Sequence, residues 1–454
     1  MELPVPAEAD VLAIGRALAG AMPSAARRPF AALDDKAMAL ASQDAELKAA
    51  LFRFVDVVPA CRSVDDLATH LAGFLSEVEE QPIALAQAMR LAGSKGGRAA
   101  LGAASARGVK HMAHRFIVGE SPQKATGVLA SLWKDGVTST VDLLGEATVT
   151  AAEADAYAAR CAEAISVMTS AAERWPARSA IEHDSAGVLP RANLSVKVSA
   201  LTPLLRAEAP ELGLRDAAPR LRALLRQAKE QGAHLHIDME SYDSREATVE
   251  LVLELLAEPE FADGPSAGVV LQAYLRDSPE QADRLIKWVR TTTRAHPLVV
   301  RLVKGAYWDH EVVDARQHGW SPPVFEVKSD SDKNFEHLTR VLLGARRTGA
   351  GIRTAVASHN LRSIAHAVAV SREAGYPDED LELQILRGLG DGLGTALAAR
   401  GLRVRAYCPV GDLVAGMAYL VRRLLENTSN DSFLHDQGAG VPLERLLAAP
   451  GAAV

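Results

Sequence analysis

LVVRLVKGAYWD, residues 298–309, begins as the plainest strand in this sequence and ends in the least strand-like way. Leu298, Val299, Val300, Leu302 and Val303 form an apolar run, interrupted only by Arg301, as expected of a buried strand. An arginine inside such a strand is costly unless a partner or a ligand meets it. Lys304 follows, then Gly305 and Ala306, then the rings of Tyr307 and Trp308. At Gly305 a side chain would obstruct something. Two cations, an exposed backbone and two rings suit a loop that holds a flat, partly anionic ligand. They also suit a strand end with a structural ion pair, and these residues alone leave both readings open.

Similar apolar runs recur on both sides. Strands are expected at 138–144, 193–200, 235–240, 268–274, 298–303, 353–357, 381–386 and 402–407. Amphipathic segments near 153–176, 216–230, 244–257, 279–294, 333–348, 361–374, 391–400 and 412–427 separate and follow them. Eight strands, each followed by a helix, predict an α/β fold of the (β/α)8 barrel type, also called a TIM barrel. An open doubly wound sheet is disfavoured, because no GxGxxG follows the first strand. The nearest glycine-rich run, Gly388-Leu389-Gly390-Asp391-Gly392, comes after the seventh.

Upstream, residues 1–118 read as an all-helical, alanine-rich arm. Ser63-Val64-Asp65-Asp66 before Leu67, Leu71 and Phe74 has the form of a capped amphipathic helix, and 83–91 reads as another. The stretch 94–110 is rich in Gly, Ala and Arg and reads either as a loosely packed helical arm or as a linker. Its basic residues, with Arg90 and Arg115 on either side, read as a solvated face. Ser121-Pro122 pairs a capping residue with proline at the first helical position, starting a helix that runs to about Lys134. The expected division is an arm at 1–118, a barrel at 119–436 and a tail or interdomain linker at 437–454.

The chain has 454 residues, 48% hydrophobic and 24% charged, enough for one large domain and an extra segment. A net charge of −7 argues against nucleic acid as a partner of the whole chain. Cys61, Cys161 and Cys408 have no CxxC spacing, which predicts a reducing, cytoplasmic setting without a structural zinc. The N-terminus has no signal-type core, and no run approaches the ~20 apolar residues of a membrane span.

In such a barrel, chemistry sits at the carboxyl ends of the strands. There the sequence places Asp142 and Glu146, Lys197, Asp238 and Glu240, Gln272, Arg301 and Lys304, Ser358-His359-Asn360, Gln384 and Arg387, and Arg405 and Tyr407. Each alone reads as a structural ion pair, and Gln272 and Gln384 could satisfy each other. Their concentration at one end reads as a site. In the segment after the eighth strand, Tyr419, Arg422, Arg423 and Glu426 share one helical face. As a surface stripe, that face would gain only ~0.3–0.5 kcal/mol from an Arg422–Glu426 pair. As part of a site, two adjacent guanidinium forks suit a carboxylate. The 13 histidines include no HExxH; His234 and His236 alternate at the start of a strand and read as structural, so no metal is expected. A flat cofactor and a small anionic substrate remain, and the cations and glutamines suit a flavin's pyrimidine edge and pyrophosphate.

RLVKGAYWD (301–309), LSVKVSAL (194–201), HIDMES (236–241), VVLQAYL (269–275), ASHN (357–360) and YCPVGD with YLVRRLLEN (407–427) closely resemble proline dehydrogenase. VDLLGEA (141–147) and HRFIVGES before it resemble the catalytic domain of bacterial proline utilization A. The resemblance implies a distorted (β/α)8 barrel with non-covalently bound FAD. It implies oxidation of L-proline to Δ1-pyrroline-5-carboxylate, by hydride transfer from proline C5 to flavin N5, with electrons passed to a membrane quinone. It further implies a cytoplasmic protein, peripheral at the inner membrane during turnover, and a pyrroline-5-carboxylate dehydrogenase domain or protein as partner. By this resemblance Arg301 meets flavin N5, and Asp238 in the active site joins Lys197 and holds it charged. Arg422 and Arg423 clamp the proline carboxylate, Glu146 gates the first of them, and Glu426 shares their face. Tyr407, Leu386 and Tyr307 wall the pyrrolidine ring. Met239, Gln272, Val303, Lys304, Gly305, Ala306, Trp308, Ser358, His359, Asn360 and Gln384 fall on cofactor positions. Glu326 departs from the family pattern near the FAD adenosine. The sequence carries no aldehyde dehydrogenase segment, and its tail, GVPLERLLAAPGAAV, resembles an interdomain linker. Two alternatives are another flavin barrel, of the methylenetetrahydrofolate reductase type, and a degenerate barrel that only binds a ligand.

Overall fold

In the computed structural model, residues 2–23, 45–78, 95–145, 148–347, 351–412, 416, 419, 436–437 and 440–452 are described. Eight parallel strands close into a barrel around the apolar runs. They are β1 (Val137–Leu143), β4 (Asn193–Lys197), β5 (His234–Asp238), β6 (Ser266–Gln272), β7 (Leu298–Val303), β8 (Ile352–Ala357), β9 (Glu382–Leu386) and β10 (Arg403–Val410). The remaining two, β2 (His183–Asp184) and β3 (Gly187–Val188), form a small antiparallel hairpin. Each barrel strand neighbours the next in sequence, and β10 closes on β1 over the seven residues from Val137↔Val404 to Leu143↔Val410. The β1–β4 seam is the short one, Val141↔Leu194 and Asp142↔Ser195.

The helices around the barrel are α5 (Pro122–Lys134), α6 (Ala151–Ala172), α7 (Pro210–Glu230), α8 (Tyr242–Leu256), α9 (Ser278–Thr291), α10 (Trp308–Gln317), α11 (Lys328–Arg347), α12 (Leu361–Glu373) and α13 (Asp391–Ala399). Before them come α1 (Glu8–Ala21), α2 (Ala45–Val57), α3 (Val64–Ser76) and α4 (Lys95–Phe116). The caps fall where the sequence puts them. Ser63 Oγ accepts from Asp66 N at 3.0 Å, and Ser121 Oγ from Lys124 N at 3.4 Å. The α6 cap is a full box between Thr150 and Glu153.

Of the two readings for residues 94–110 the helical one holds, since residues 95–110 belong to the 22-residue α4. There Gly102 lies so close to the Val64 carbonyl that a Cβ would come within 2.0 Å of it. Strand β7 is followed by two helices, because α10 starts directly after the Gly305 loop. The eighth barrel strand, β10, runs three residues beyond Tyr407. Residues 83–91 and most of 412–427 lie outside the described residues, as do Glu146, Arg422, Arg423 and Glu426.

The arm divides its contacts. Helix α1 lies beside α12, with Val11 fully buried against Ala365 and Ala369. Helices α2, α3 and α4 build a second core from Phe54, Leu71, Val109 and Phe116. That core continues through Leu144 and Tyr419 to Tyr407 and Leu389, at the carboxyl ends of the strands. The arm therefore borders the end of the barrel where the polar residues gather.

Candidate active site

Alternation along a strand sends every second side chain into the barrel. On β4 these are Asn193, Ser195 and Lys197, and on β5 His234, His236 and Asp238. At the carboxyl-end layer this produces one connected group. Arg301 Nη1 donates to Asp238 Oδ1 at 2.6 Å, and Ser195 Oγ donates to the same oxygen at 2.9 Å. Tyr407 donates its hydroxyl to Asp238 Oδ2 at 2.8 Å. The Arg301 guanidinium carbon stands 5.4 Å from the centre of the Tyr407 ring. Arg301, Asp238, Ser195 and Lys197 are all buried. Burial, reinforced by the Asp142 and Asp238 charges, pushes the Tyr407 phenol well above its ordinary range, so it remains a donor.

Lys197 belongs to a second pair. Its Nζ lies 2.5 Å from Asp142 Oδ1 across the β1–β4 seam, with both side chains buried. The expectation that Asp238 holds the Lys197 charge is therefore corrected. Asp142 does so, and Asp238 holds Arg301. Behind Lys197 the fully buried Tyr157 hydroxyl accepts from the Lys197 backbone N–H at 3.4 Å.

The glutamines do not satisfy each other. Gln272 Nε2 donates to the Glu240 carbonyl at 2.9 Å, and its buried Oε1 has no partner among the described residues. Gln384 Nε2 instead donates to Glu382 Oε1 at 2.6 Å. Lys304 pairs with Asp332, while burial lowers the lysine's pKa and the Asp332 charge opposes that shift. Gly305 has φ +142°, and an added Cβ there would come within 2.4 Å of the Tyr274 ring. The obstruction expected at this glycine is thus Tyr274. Ala306 and Trp308 are exposed on the same loop, and Trp308 Nε1 donates to the Phe325 carbonyl at 2.9 Å. Tyr307, Val303 and Leu386 are half-buried around the mouth, and Met239 is buried beneath it.

In the loop after β8, Ser358 Oγ accepts from Asn360 N at 3.1 Å. The Asn360 side chain caps α12, accepting from Arg362 N at 2.9 Å and Ser363 N at 3.2 Å. His359 Nε2 accepts from Leu386 N at 2.9 Å, tying the ends of β8 and β9 together. Glu326 lies 2.9 Å from Arg316 Nη2 and 3.6 Å from Arg276 Nη2, so two guanidiniums already meet its charge.

A cleft of about 180 Å³ lies beside Lys304 and Asp332, lined by Lys328, Asn360, Arg362, Ser363 and Arg445 among others. Of these, only Asn360 was a sequence candidate. Lys328, Arg362 and Ser363 open helices, where a Lys or Arg reads as a solvated residue. The signal available in the sequence was the phasing of each helix start against its strand end. Among the described residues, no group of three or more His, Cys, Asp and Glu is placed to hold a metal ion.

The residues present fit a flavin nucleotide on three counts. The orphaned Gln272 Oε1 is a buried acceptor suited to an N–H donor such as the uracil-like edge of a flavin. Buried Arg301 faces the strand-end layer with its charge delocalised over a plane. The cleft beyond Lys304 carries Lys328, Arg362 and Arg445, cations suited to a diphosphate, with Asp332 and Asp436 also in its wall.

The proline dehydrogenase family model matches residues 125–436, and the model of the proline utilization A N-terminal domain matches residues 8–116. The bifunctional protein PutA of Salmonella typhimurium is 32% identical over 351 residues, 76% of this chain and 25% of that protein. Proline dehydrogenase 1 of Bacillus subtilis is 29% identical over 73% of this chain and 92% of its own length. Among solved structures, proline utilization A from Bdellovibrio bacteriovorus inactivated by N-propargylglycine superposes with a TM-score of 0.87 at 36% identity. It covers 98% of this chain and 44% of that one. The chain spans about a quarter of the length of the bifunctional relatives it matches. With a family match over most of its length and the strand-end cluster in place, this chain belongs to the proline dehydrogenase family.

Proposed function

We propose that this protein is a flavin-dependent oxidoreductase that oxidises L-proline to Δ1-pyrroline-5-carboxylate. The observation that carries the reading is the buried Arg301–Asp238–Tyr407 group beside the Lys197–Asp142 pair, assembled at the barrel end where such folds do chemistry. Bound non-covalently, FAD would supply the two-electron acceptor, taking a hydride from proline C5 at flavin N5 and passing the electrons to a quinone.

The chain's own residues supply position and charge. Arg301, oriented by the Asp238 carboxylate, would hold a fixed positive charge beside the reduced cofactor's developing negative charge. Gln272, Lys304 and the cleft around Lys328, Asn360 and Arg362 would hold the nucleotide. Lys197, steadied by Asp142, offers a cation to the substrate carboxylate together with Arg422 and Arg423. Tyr407, Leu386 and Tyr307 pack the ring carbons and exclude water, with the arm core behind Tyr407. Glu146 would gate entry by pairing with Arg422. The product, a cyclic imine that opens in water to an aldehyde, calls for an aldehyde-oxidising domain or partner.

Absorbance tests the reading. Purified protein should be yellow, L-proline should bleach it anaerobically, and heat should release intact FAD into the supernatant. A colourless protein that gains no colour when incubated with FAD would refute the assignment.

A further inference from the structure

The opposite end of the barrel interior is unusually charged. Arg353, from β8, is bidentate with Asp184 on the β2–β3 hairpin, Nε–Oδ2 2.8 Å and Nη2–Oδ1 2.9 Å. Arg405, from β10, is bidentate with Glu382 on β9, Nε–Oε1 2.9 Å and Nη2–Oε2 3.0 Å. Arg403 lies between these pairs, farther from both carboxylates, with Nη2–Asp184 Oδ2 at 3.9 Å and Nη1–Glu382 Oε2 at 3.5 Å. All five side chains are buried. Three guanidiniums therefore face two carboxylates. Burial brings the His234 pKa down to about 3 and the neighbouring His236 well below its ordinary value, so neither ring alters the count near neutrality.

Among these residues is a cavity of about 20 Å³, room for about one water-sized particle. Its lining includes Arg353, Thr354, Arg403 and His236. Of these, Arg353, Arg403 and His236 point into the barrel, and each carries a buried polar atom without a partner among the described residues: Arg353 Nη1, Arg403 Nε and His236 Nε2. Guanidinium nitrogens only donate. A chain from Ser266 Oγ to His234 Nδ1 at 2.8 Å, and from His234 Nε2 to His236 Nδ1 at 3.1 Å, leaves His236 Nε2 free to be an N–H donor as well. A water could accept from two of these donors, but it would leave the surplus positive charge uncompensated. A monatomic anion accepts from all of them and cancels it.

We propose that this cavity is a halide site, occupied by chloride, that neutralises Arg403 and locks the amino-terminal end of the barrel beneath the β2–β3 hairpin. The site is separate from the strand-end group and independent of the redox reading. Asp184, which meets Arg353 and faces Arg403, comes from outside the barrel. Anion binding therefore fastens the hairpin to β8 and β10.

The test uses the protein as purified, at fixed pH and ionic strength, in sodium chloride or in sodium gluconate, whose anion is too large to enter. Long-wavelength diffraction from chloride crystals should show an anomalous peak between Arg353 and Arg403 that gluconate crystals lack. Chloride should raise the unfolding temperature by about 2 °C for each tenfold increase above its dissociation constant, and gluconate should not. Arg403→Met, which removes the surplus cation, should abolish that dependence. Should that variant fail to fold, the anomalous peak in the wild type decides alone. Density at the cavity without anomalous signal identifies a water and overturns the proposal.

Discussion

Asp238→Asn isolates the charge at the centre of the strand-end group. The amide keeps Oδ1 as an acceptor for Arg301 and Ser195, and it turns an NH2 toward the Tyr407 oxygen, which can accept. Shape and hydrogen-bond number survive, and the carboxylate's charge is what disappears. Arg301 is 4% exposed, so its guanidinium is left buried without a counter-charge. Breaking one side of a buried pair in this way costs about 3–5 kcal/mol, whereas replacing both partners with uncharged groups is often close to neutral. Because the amide still accepts a hydrogen bond, the lower end, about 3 kcal/mol, is expected. Arg301→Met alone leaves Asp238 bare and should cost a similar amount, while the double variant should cost far less than the sum. Urea unfolding of the four proteins, followed by tryptophan fluorescence with cofactor removed, gives the cycle. Additive losses would show that the 2.6 Å contact carries no coupling and would remove Asp238 from its proposed role of orienting Arg301.

Arg422→Met or Arg423→Met should raise KM for L-proline strongly while the bound flavin stays, since losing one partner of a buried carboxylate clamp costs ~2–5 kcal/mol; steady-state kinetics with an unchanged KM would dismiss the clamp. The wild type should prefer L-proline to trans-4-hydroxy-L-proline at least tenfold in kcat/KM, about 1.4 kcal/mol, if Tyr407 walls the ring as proposed and fills the space a 4-hydroxyl needs; Tyr407→Ser should narrow that ratio, and an identical ratio would take Tyr407 out of the pocket. Stability should fall as pH drops from about 6.5 toward 3, because burial holds His234 and His366 near 3 in the folded chain while the unfolded chain takes up protons near 6.5. Urea midpoints at pH 7.5 and 5 measure the slope, which His366→Gln should reduce.

The barrel was readable because its strands are short apolar runs separated by amphipathic segments, and strand ends read from that pattern lie within three residues of those in the structure. Arg301 was legible for the same reason, as a charge in the middle of an apolar run. What the sequence hid was partnership. Asp142 and Lys197 stand 55 residues apart and meet only because β1 and β4 close the barrel over two residues. The family resemblance pointed to Asp238 as the partner of Lys197, whereas the register gives that carboxylate to Arg301. Asp184 was invisible as a functional position: it lies in a two-residue strand outside the barrel, 169 residues before its partner Arg353. Such charges look like surface residues until the hairpin folds across the barrel end. Gly305 shows a third kind of limit. The sequence could say that a side chain would collide there but not with what, and Tyr274 lies 31 positions upstream.

The pairing at the strand ends also bears on how an anionic substrate is held. Lys197 and Arg301 are both cations, yet Asp142 and Asp238 already balance them, so the described strand-end layer around these four residues is neutral. A carboxylate brought into it meets well-placed donors without meeting net positive charge, and at low dielectric its desolvation would go uncompensated. Lys197 alone therefore does not explain recognition of an amino acid's carboxylate. The deficit has to be supplied from outside the barrel strands, and Arg422 and Arg423 are the residues that the family resemblance puts there. Two further guanidiniums would exceed the charge of one carboxylate. Glu146, read from the resemblance as the partner of Arg422, would balance that excess before substrate arrives and release it afterward. If the arginine pair meets the substrate as proposed, charge balance favours such a gate: a neutral strand layer and two further guanidiniums would hold one carboxylate only if the second positive charge has somewhere to go.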